Sequence, residues 1–208
     1  MKRIIPAIIA SSQKELETKL NKVKNLSPWI QLDVMDGLFV KNRSLDFDFK
    51  LPKLKCKREA HLMIKNPETW IKKNAEKVNT IIIHYESTKN LNKAITLIKK
   101  KKKKVGIAIN PETSINKIKK YVKNINLVLI MTVHPGKYGS AFLPKTLLKV
   151  KQLRKMQPKL EIEIDGGINP ITAKKARDAG ANRFAIGSYF MHARNAKKAM
   201  NTLKRGLS

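Results

Sequence analysis

Short β-rich runs take turns with lysine-rich amphipathic patterns along the whole chain, and this alternation constrains the fold more than any other feature. Strands separated by helices cannot be joined as hairpins, so repeated βα units lead to a parallel sheet. Strands are predicted over 3–9, 30–35, 59–64, 80–84, 105–109, 127–133, 161–164 and 183–186. Helices are predicted over 13–24, 67–77, 91–100, 114–123, 144–156, 172–179 and 193–204. Ser11 or Ser12 caps the first helix, with Leu16, Leu20 and Val23 on one face. Pro67 opens the second, and Gly180 closes the sixth. Segment 38–55 reads as a long loop with a short helical piece.

Eight such units fit a (β/α)8 TIM barrel, which needs about 200 residues or more; the chain has 208. The competitor is a doubly wound open sheet, with fewer units and a glycine-rich phosphate turn after its first strand. Here that turn reads Ala10-Ser11-Ser12-Gln13, without glycine. A single barrel domain over 1–208 is therefore expected.

No apolar run is long enough to cross a bilayer. The start, Met1 to Pro6, reads as a first strand rather than a signal peptide. The lone Cys56 fits a reducing, cytoplasmic setting. The formal net charge of +30 raises nucleic acid as a partner. The lysines, however, are spread over nearly every predicted helix, as an AT-rich coding bias would leave them. Such a field still attracts anionic substrates, phosphates included. The densest run, Lys99 to Lys104, falls between a helix and the next strand and reads as a solvated connection.

In a barrel of this kind the site lies at the C-terminal strand ends. Two stretches deliver carboxylates there: Trp29 to Gly37, with Asp33 and Asp36, and Leu160 to Gly167, with Asp165. Gln31, Asp33 and Met35 share one face of their strand, and His61 and Met63 share a face of the next. Asp33 and Asp165 are expected to face one another across a small substrate. Two carboxylates and a histidine converging on one mouth suit a divalent metal. Also at strand ends are Ala7, Ile9, His84, Glu86, Asn110, Met131 and His134. Gly166-Gly167 and Gly187-Ser188 can offer backbone N–H groups to a phosphate, with Gly136 to Ser140, including Gly139, closing over it.

With these residues in place the chain resembles the ribulose-phosphate 3-epimerase family from the first strand to the last. The resemblance is carried by Leu32 to Gly37 with Phe39, Val40 and Asn42, by His61-Leu62-Met63 followed by Asn66-Pro67-Glu68, and by His84-Tyr85-Glu86. It continues through Asn110-Pro111, Met131 to Gly136, Asp165 to Ile168 and Gly187-Ser188. It implies a (β/α)8 barrel that interconverts ribulose 5-phosphate and xylulose 5-phosphate by two-base proton transfer at C3, a step of the pentose phosphate pathway. The acid/bases would be Asp33 and Asp165. One divalent ion (Zn, Fe, Mn or Co) would be held by Asp33, His61 and Asp165, with Gln31 beside them. Met35, Met63 and Met131 would line the site against water. A ketopentose phosphate substrate and a homo-oligomer are implied as well.

The sequence departs from the family pattern near the chemistry. Gln31 stands in place of a histidine ligand, and Ala7 in place of a substrate-contacting serine. Lys137 and Tyr138 replace a Phe-Gly pair, Ser140 a glutamine, Leu38 a histidine and Lys41 a proline. Two further readings follow, in order. One is an epimerase for a related ketose phosphate such as allulose 6-phosphate. The other is a noncatalytic relative that binds an anion or nucleic acid.

Overall fold

The computed structural model describes residues 2–136 and 139–207. The chain begins with β1 (Arg3–Ile8), α1 (Gln13–Val23), β2 (Trp29–Asp36) and a two-residue β3 (Arg43–Ser44). It continues with β4 (Lys57–Met63), α2 (Glu68–Asn74), β5 (Thr80–His84), α3 (Leu91–Lys100), β6 (Lys104–Ile109) and β7 (Leu127–Met131). Then follow α4 (Leu147–Met156), β8 (Glu161–Asp165), α5 (Pro170–Asp178), β9 (Arg183–Ile186), α6 (Ser188–Met191) and α7 (Ala196–Leu207). Among the described residues, eight strands run parallel in the order β1-β9-β8-β7-β6-β5-β4-β2, and a β1–β2 pairing closes the ring. This is the expected (β/α)8 barrel, with β3 pairing antiparallel on the end of β2.

The two sides of the strands differ in chemistry, and that difference forces the shape. Leu32, Val34, Leu62, Ile81, Ile83, Val105, Ile107, Val128, Ile130, Ile162, Ile164 and Phe184 point outward. There they form one buried cluster with Leu16, Ile71, Ile95, Val150 and Leu203 of the helices. A sheet with such an apolar side must be covered along its whole length, and the helices that connect parallel strands supply the cover. The inward side is divided. Ile82, Ala108, Leu127, Leu129, Met131 and Val133 make a small apolar cluster. Gln31, Asp33, Glu59, His61, His84, Glu163 and Arg183 are buried as well. Gly106 belongs to this packing, since a Cβ there would sit 2.8 Å from Ile82 and 3.0 Å from Leu127.

Four predicted elements are corrected. The helix over 114–123 is replaced by two 3₁₀ turns, Ile115–Lys117 and Val122–Asn124. The segment's N–H groups bond three residues back rather than four, Ile118 to Ile115, Tyr121 to Ile118 and Asn124 to Tyr121, so the turns are wound more tightly than an α-helix. The segment after β2 holds the β3 ribbon instead of a helical piece, because its backbone is committed elsewhere: Leu45 N–H donates to Ala10 O at 2.8 Å. The strand predicted to Val133 ends at Met131, where Thr132 turns its N–H and hydroxyl onto the end of β8. The last helix starts three residues later than predicted and runs on to Leu207 as α7, with Asn195 capping it through Lys198 N–H at 2.9 Å, and a separate short α6 that was not predicted precedes it. Elsewhere Ser12, not Ser11, caps α1, and α5 starts two residues before its predicted start, at Pro170, behind an Asn169–Thr172 capping box.

The floor of the barrel is ionic. Arg183 Nε donates to Glu163 Oε2 at 2.6 Å and Nη1 to Glu161 Oε2 at 3.0 Å, while Nη2 reaches Glu59. Its guanidinium lies 4.7 Å from the centre of the Trp29 ring, and Arg3 pairs with the outer Glu161. Three carboxylates thus meet two cations, which leaves one negative charge too many. Burial, then repulsion by Glu163, raise the Glu59 carboxyl well above its ordinary value despite Arg183. Glu59 is thus the carboxyl of this cluster held most strongly towards its neutral form. A group whose folded pKa is raised favours folding fully below its ordinary 4.5 and loses that contribution as pH rises through the folded value. Glu59→Gln should therefore stay within about 1 kcal/mol of the parent and flatten the decline above that pH. Arg183→Met strands buried carboxylates and should cost about 3–5 kcal/mol. Urea unfolding across pH 5 to 9 reads both.

Candidate active site

The strand register brings the predicted acids together. In the β2–β4 ladder Asp33 pairs with His61 and Met35 with Met63. In the β7–β8 ladder Met131 pairs with Asp165. Barrel closure through β1, where Ala7 pairs with Gln31, turns β2 towards β8. The Gln31 amide then lies between the two acids, with Nε2 donating to Asp33 Oδ1 at 2.8 Å and to Asp165 Oδ2 at 2.7 Å. His61 Nδ1 lies 3.3 Å from the same Asp33 oxygen and 3.2 Å from the same Asp165 oxygen. Two acids on strands that are not neighbours are thus clamped by one pair of nitrogens.

Burial sets the electrostatics. It raises the Asp33 carboxyl, as does the Asp165 charge, and the bonds from His61 and Gln31 only partly offset them; the value is pushed up to about 6. Burial works against a charged His61, but hydrogen bonds to Asp165 and Asp33 and the charges of both acids outweigh it and raise the ring to about 10. His61 is therefore a cation wedged between two acids. Behind it His84, wholly buried, is lowered to about 4, first by burial and then by the His61 charge, against the pull of Glu86. His84 is neutral.

The same donors fit a metal ion. One atom each from Asp33, His61 and Asp165 lies within 4.8 Å of the others. A nitrogen with two carboxylate oxygens suits a divalent ion of the zinc, manganese, iron or cobalt kind. Gln31 Oε1 is buried without a partner, so this amide has an acceptor to spare beside the cluster. A bound cation would take the place of the His61 proton between the acids.

Above the cluster the mouth is lined by Asp33, Met35, Met63, Met131 and Asp165, with Ala7 and Ile9. Gly136, Gly139, Gly166, Gly167, Gly187 and Ser188 line the same cavity. The acids, methionines and glycines expected at the mouth are there, with Gln31 and His61 buried beneath, whereas the strand-end residues His84, Glu86 and Asn110 do not line it. Gly166 has φ +109°, and a Cβ on it would lie 2.3 Å from Val133; Gly167 has φ +64° and packs on the Phe142 backbone. No other residue fits either place without displacing a neighbour. Two further strand-end residues lie apart. His134 is exposed and pairs with Glu112 at 3.4 Å. Asp36 accepts from the N–H groups of Leu38, Phe39 and Lys65 at 2.8 to 2.9 Å, so this second carboxylate folds a loop. Lys137 and Tyr138 lie outside the described residues. Thr132 was not singled out from sequence, yet its hydroxyl donates to Asp165 O at 2.9 Å and reaches Gly166 O. A lone threonine after an apolar strand gives no sequence signal for this.

The fold and this cluster define the class: a TIM-barrel enzyme with its polar centre at the C-terminal ends of the strands. The chain belongs to the ribulose-phosphate 3 epimerase family, whose model matches residues 3–191. It is 33% identical to the ribulose-phosphate 3-epimerase of Schizosaccharomyces pombe, over 99% of this chain and 93% of that protein. It is 32% identical to that of Bacillus subtilis, over 98% of this chain and 99% of the relative. Among solved structures it resembles KGPDC from Streptococcus mutans. There the TM-score is 0.72 and the identity 20%, over 99% of this chain and 97% of that one; the likeness is one of fold. No helix of the described residues is long and apolar enough to cross a membrane.

Thr132→Val removes the hydroxyl that anchors the end of β8. It should cost about 1–2 kcal/mol in urea unfolding, as a lost buried hydrogen bond does.

Proposed function

We propose that the barrel mouth epimerises ribulose 5-phosphate to xylulose 5-phosphate at C3, with Asp33 and Asp165 as the two proton carriers, in the cytoplasm. The observation that carries this reading is the clamp: both carboxylates hydrogen-bond the Gln31 amide and face the same His61 nitrogen. Inversion at one carbon needs a base on one face and an acid on the other. One carboxylate takes the C3 proton and the electron pair moves towards the neighbouring carbonyl. The other carboxyl then delivers its proton to the opposite face of C3. No proton is gained or lost, and the two acids exchange roles for the return reaction. A carboxyl raised to about 6 suits a group that must alternate between donor and acceptor near neutral pH.

Asp33, His61 and Asp165 would hold a divalent ion, and such an ion supplies Lewis-acid stabilisation of negative charge developing on the substrate. Gln31 would join them through Oε1 after rotation of its amide. Met35, Met63 and Met131 keep water from the reacting carbon. The turns at Gly166-Gly167 and Gly187-Ser188 receive the phosphate through backbone N–H groups, with Gly136 and Gly139 over it. Ala7 lines the mouth with no hydrogen-bonding side chain where the family resemblance implies a serine, and this favours testing a second ketose phosphate.

Ribulose 5-phosphate incubated in deuterated water with zinc, manganese, iron or cobalt should gain deuterium at C3 as xylulose 5-phosphate forms. Exchange seen only with allulose 6-phosphate moves the assignment to that substrate. Asp33→Asn or Asp165→Asn should lower kcat by about 10²–10⁴-fold; near-normal turnover in either sinks the two-base assignment. Gln31→His puts imidazole where an amide now lies and should tighten zinc binding in calorimetry. An unchanged affinity would remove residue 31 from the ligand set.

A further inference from the structure

Behind His61 lies a second histidine that the proton transfers do not use. His61 Nε2 and His84 Nε2 are 2.9 Å apart. At that distance one nitrogen donates and the other accepts, because two N–H groups clash and two lone pairs repel. The other nitrogen of His84, Nδ1, lies 3.3 Å from Glu86 Oε2. The remaining Glu86 oxygen accepts from Asn110 N–H at 2.9 Å and from the Thr113 hydroxyl. The Phe39 ring, 4.9 Å away, packs on His84.

Glu86 decides the direction of the whole chain. An ionised carboxylate only accepts, so His84 Nδ1 carries a proton and donates to it. A single proton lies between the two Nε2 atoms; two acids face His61 and only Glu86 faces His84, so the proton belongs to His61 Nε2, which donates, and His84 Nε2 accepts. His61, a cation between the acids, then keeps its Nε2 proton when it gives up the one on Nδ1, and the lone pair left there faces Asp33 at 3.3 Å and Asp165 at 3.2 Å.

We propose that Glu86 and His84 are positioning residues that fix the polarity of a Glu86–His84–His61 hydrogen-bond chain and thereby aim the His61 Nδ1 lone pair between Asp33 and Asp165. The use of that lone pair rests on the metal reading above; the polarity stands on the hydrogen bonds alone. Outer partners of metal-binding histidines set the ring tautomer in this way. Asn110 and Thr113 lie just beyond β6, so the surface loop there reaches the centre through Glu86.

Glu86→Gln tests the polarity at almost constant shape. Asn110 N–H still needs an acceptor, which keeps the amide oxygen on that side and turns the amide NH2 towards His84 Nδ1. His84 must then carry its proton on Nε2, and His61 on Nδ1, where the lone pair is lost. Two-bond ¹H–¹⁵N spectra of the metal-free protein report which ring nitrogen is protonated, zinc calorimetry reports the lone pair, and circular dichroism reports the fold. The parent should show the His84 proton on Nδ1. Glu86→Gln should show it on Nε2 and bind zinc about 10–100-fold more weakly. Thr113→Val, which disturbs the same loop but keeps the carboxylate, should leave the tautomer on Nδ1. A parent His84 protonated on Nε2 overturns the proposal, as does a Glu86→Gln protein with unchanged tautomer and zinc affinity. Should Glu86→Gln not fold, the parent and Thr113→Val spectra decide. A parent with the expected tautomer that binds no zinc supports the polarity and overturns the metal reading instead.

Discussion

The centre of this protein depends on two nitrogens placed between two acids. Asp33 and Asp165 come from β2 and β8, which are separated by β1 and β9 in the closed sheet. Left alone, two buried carboxylates repel and would draw apart or take up protons. The Gln31 amide and the His61 ring each reach both of them, at 2.7 to 3.3 Å. The clamp holds the acids in a common geometry and lets one of them titrate near neutrality. It also requires the barrel to close, since a one-residue slip in either strand would send an acid into the outer apolar layer.

That requirement explains the division of the barrel interior. The β5 to β7 side is filled by Ile82, Ala108, Leu127, Leu129 and Met131 and needs no partners. The other side carries the charges in two layers. Arg183 bonds Glu59 and Glu163 at the floor, and the clamp occupies the layer above. Buried charges are tolerated in this arrangement only when each has a partner, and breaking one leaves the rest exposed to the full cost of burial. The apolar outer face, packed on the helices, supplies the stability that such an interior cannot.

Gln31 makes this centre differ from the family pattern without dissolving it. An amide cannot carry charge, but it donates to both carboxylates and leaves Oε1 unpartnered. The clamp therefore stands without the histidine that the family resemblance implies here, and in the proposed reading a cation would rest on Asp33, His61 and Asp165. This places more weight on how His61 is oriented, and hence on His84 and Glu86 behind it.

Much of this was legible in the sequence, for a physical reason. Strand period and helix period differ, so the eight βα units could be read from where apolar residues recur, and two strands, 80–84 and 183–186, matched to the residue. Period-two alternation likewise put Gln31, Asp33 and Met35 on one face before any contact was known. Over 114–123 the apolar spacing does not separate an α-helix from the two 3₁₀ turns found there, since the two windings differ by little more than half a residue per turn. What the tertiary structure alone decided is every contact between distant strands. The sharing of Gln31 by Asp33 and Asp165, the approach of His84 to His61, and the Thr132 anchor under Asp165 each join residues 23 or more apart in the chain. Such contacts arise from barrel closure and register, which depend on all eight strands at once. The residue types that carry the chemistry are thus a property of the sequence, and their mutual distances are a property of the closed barrel.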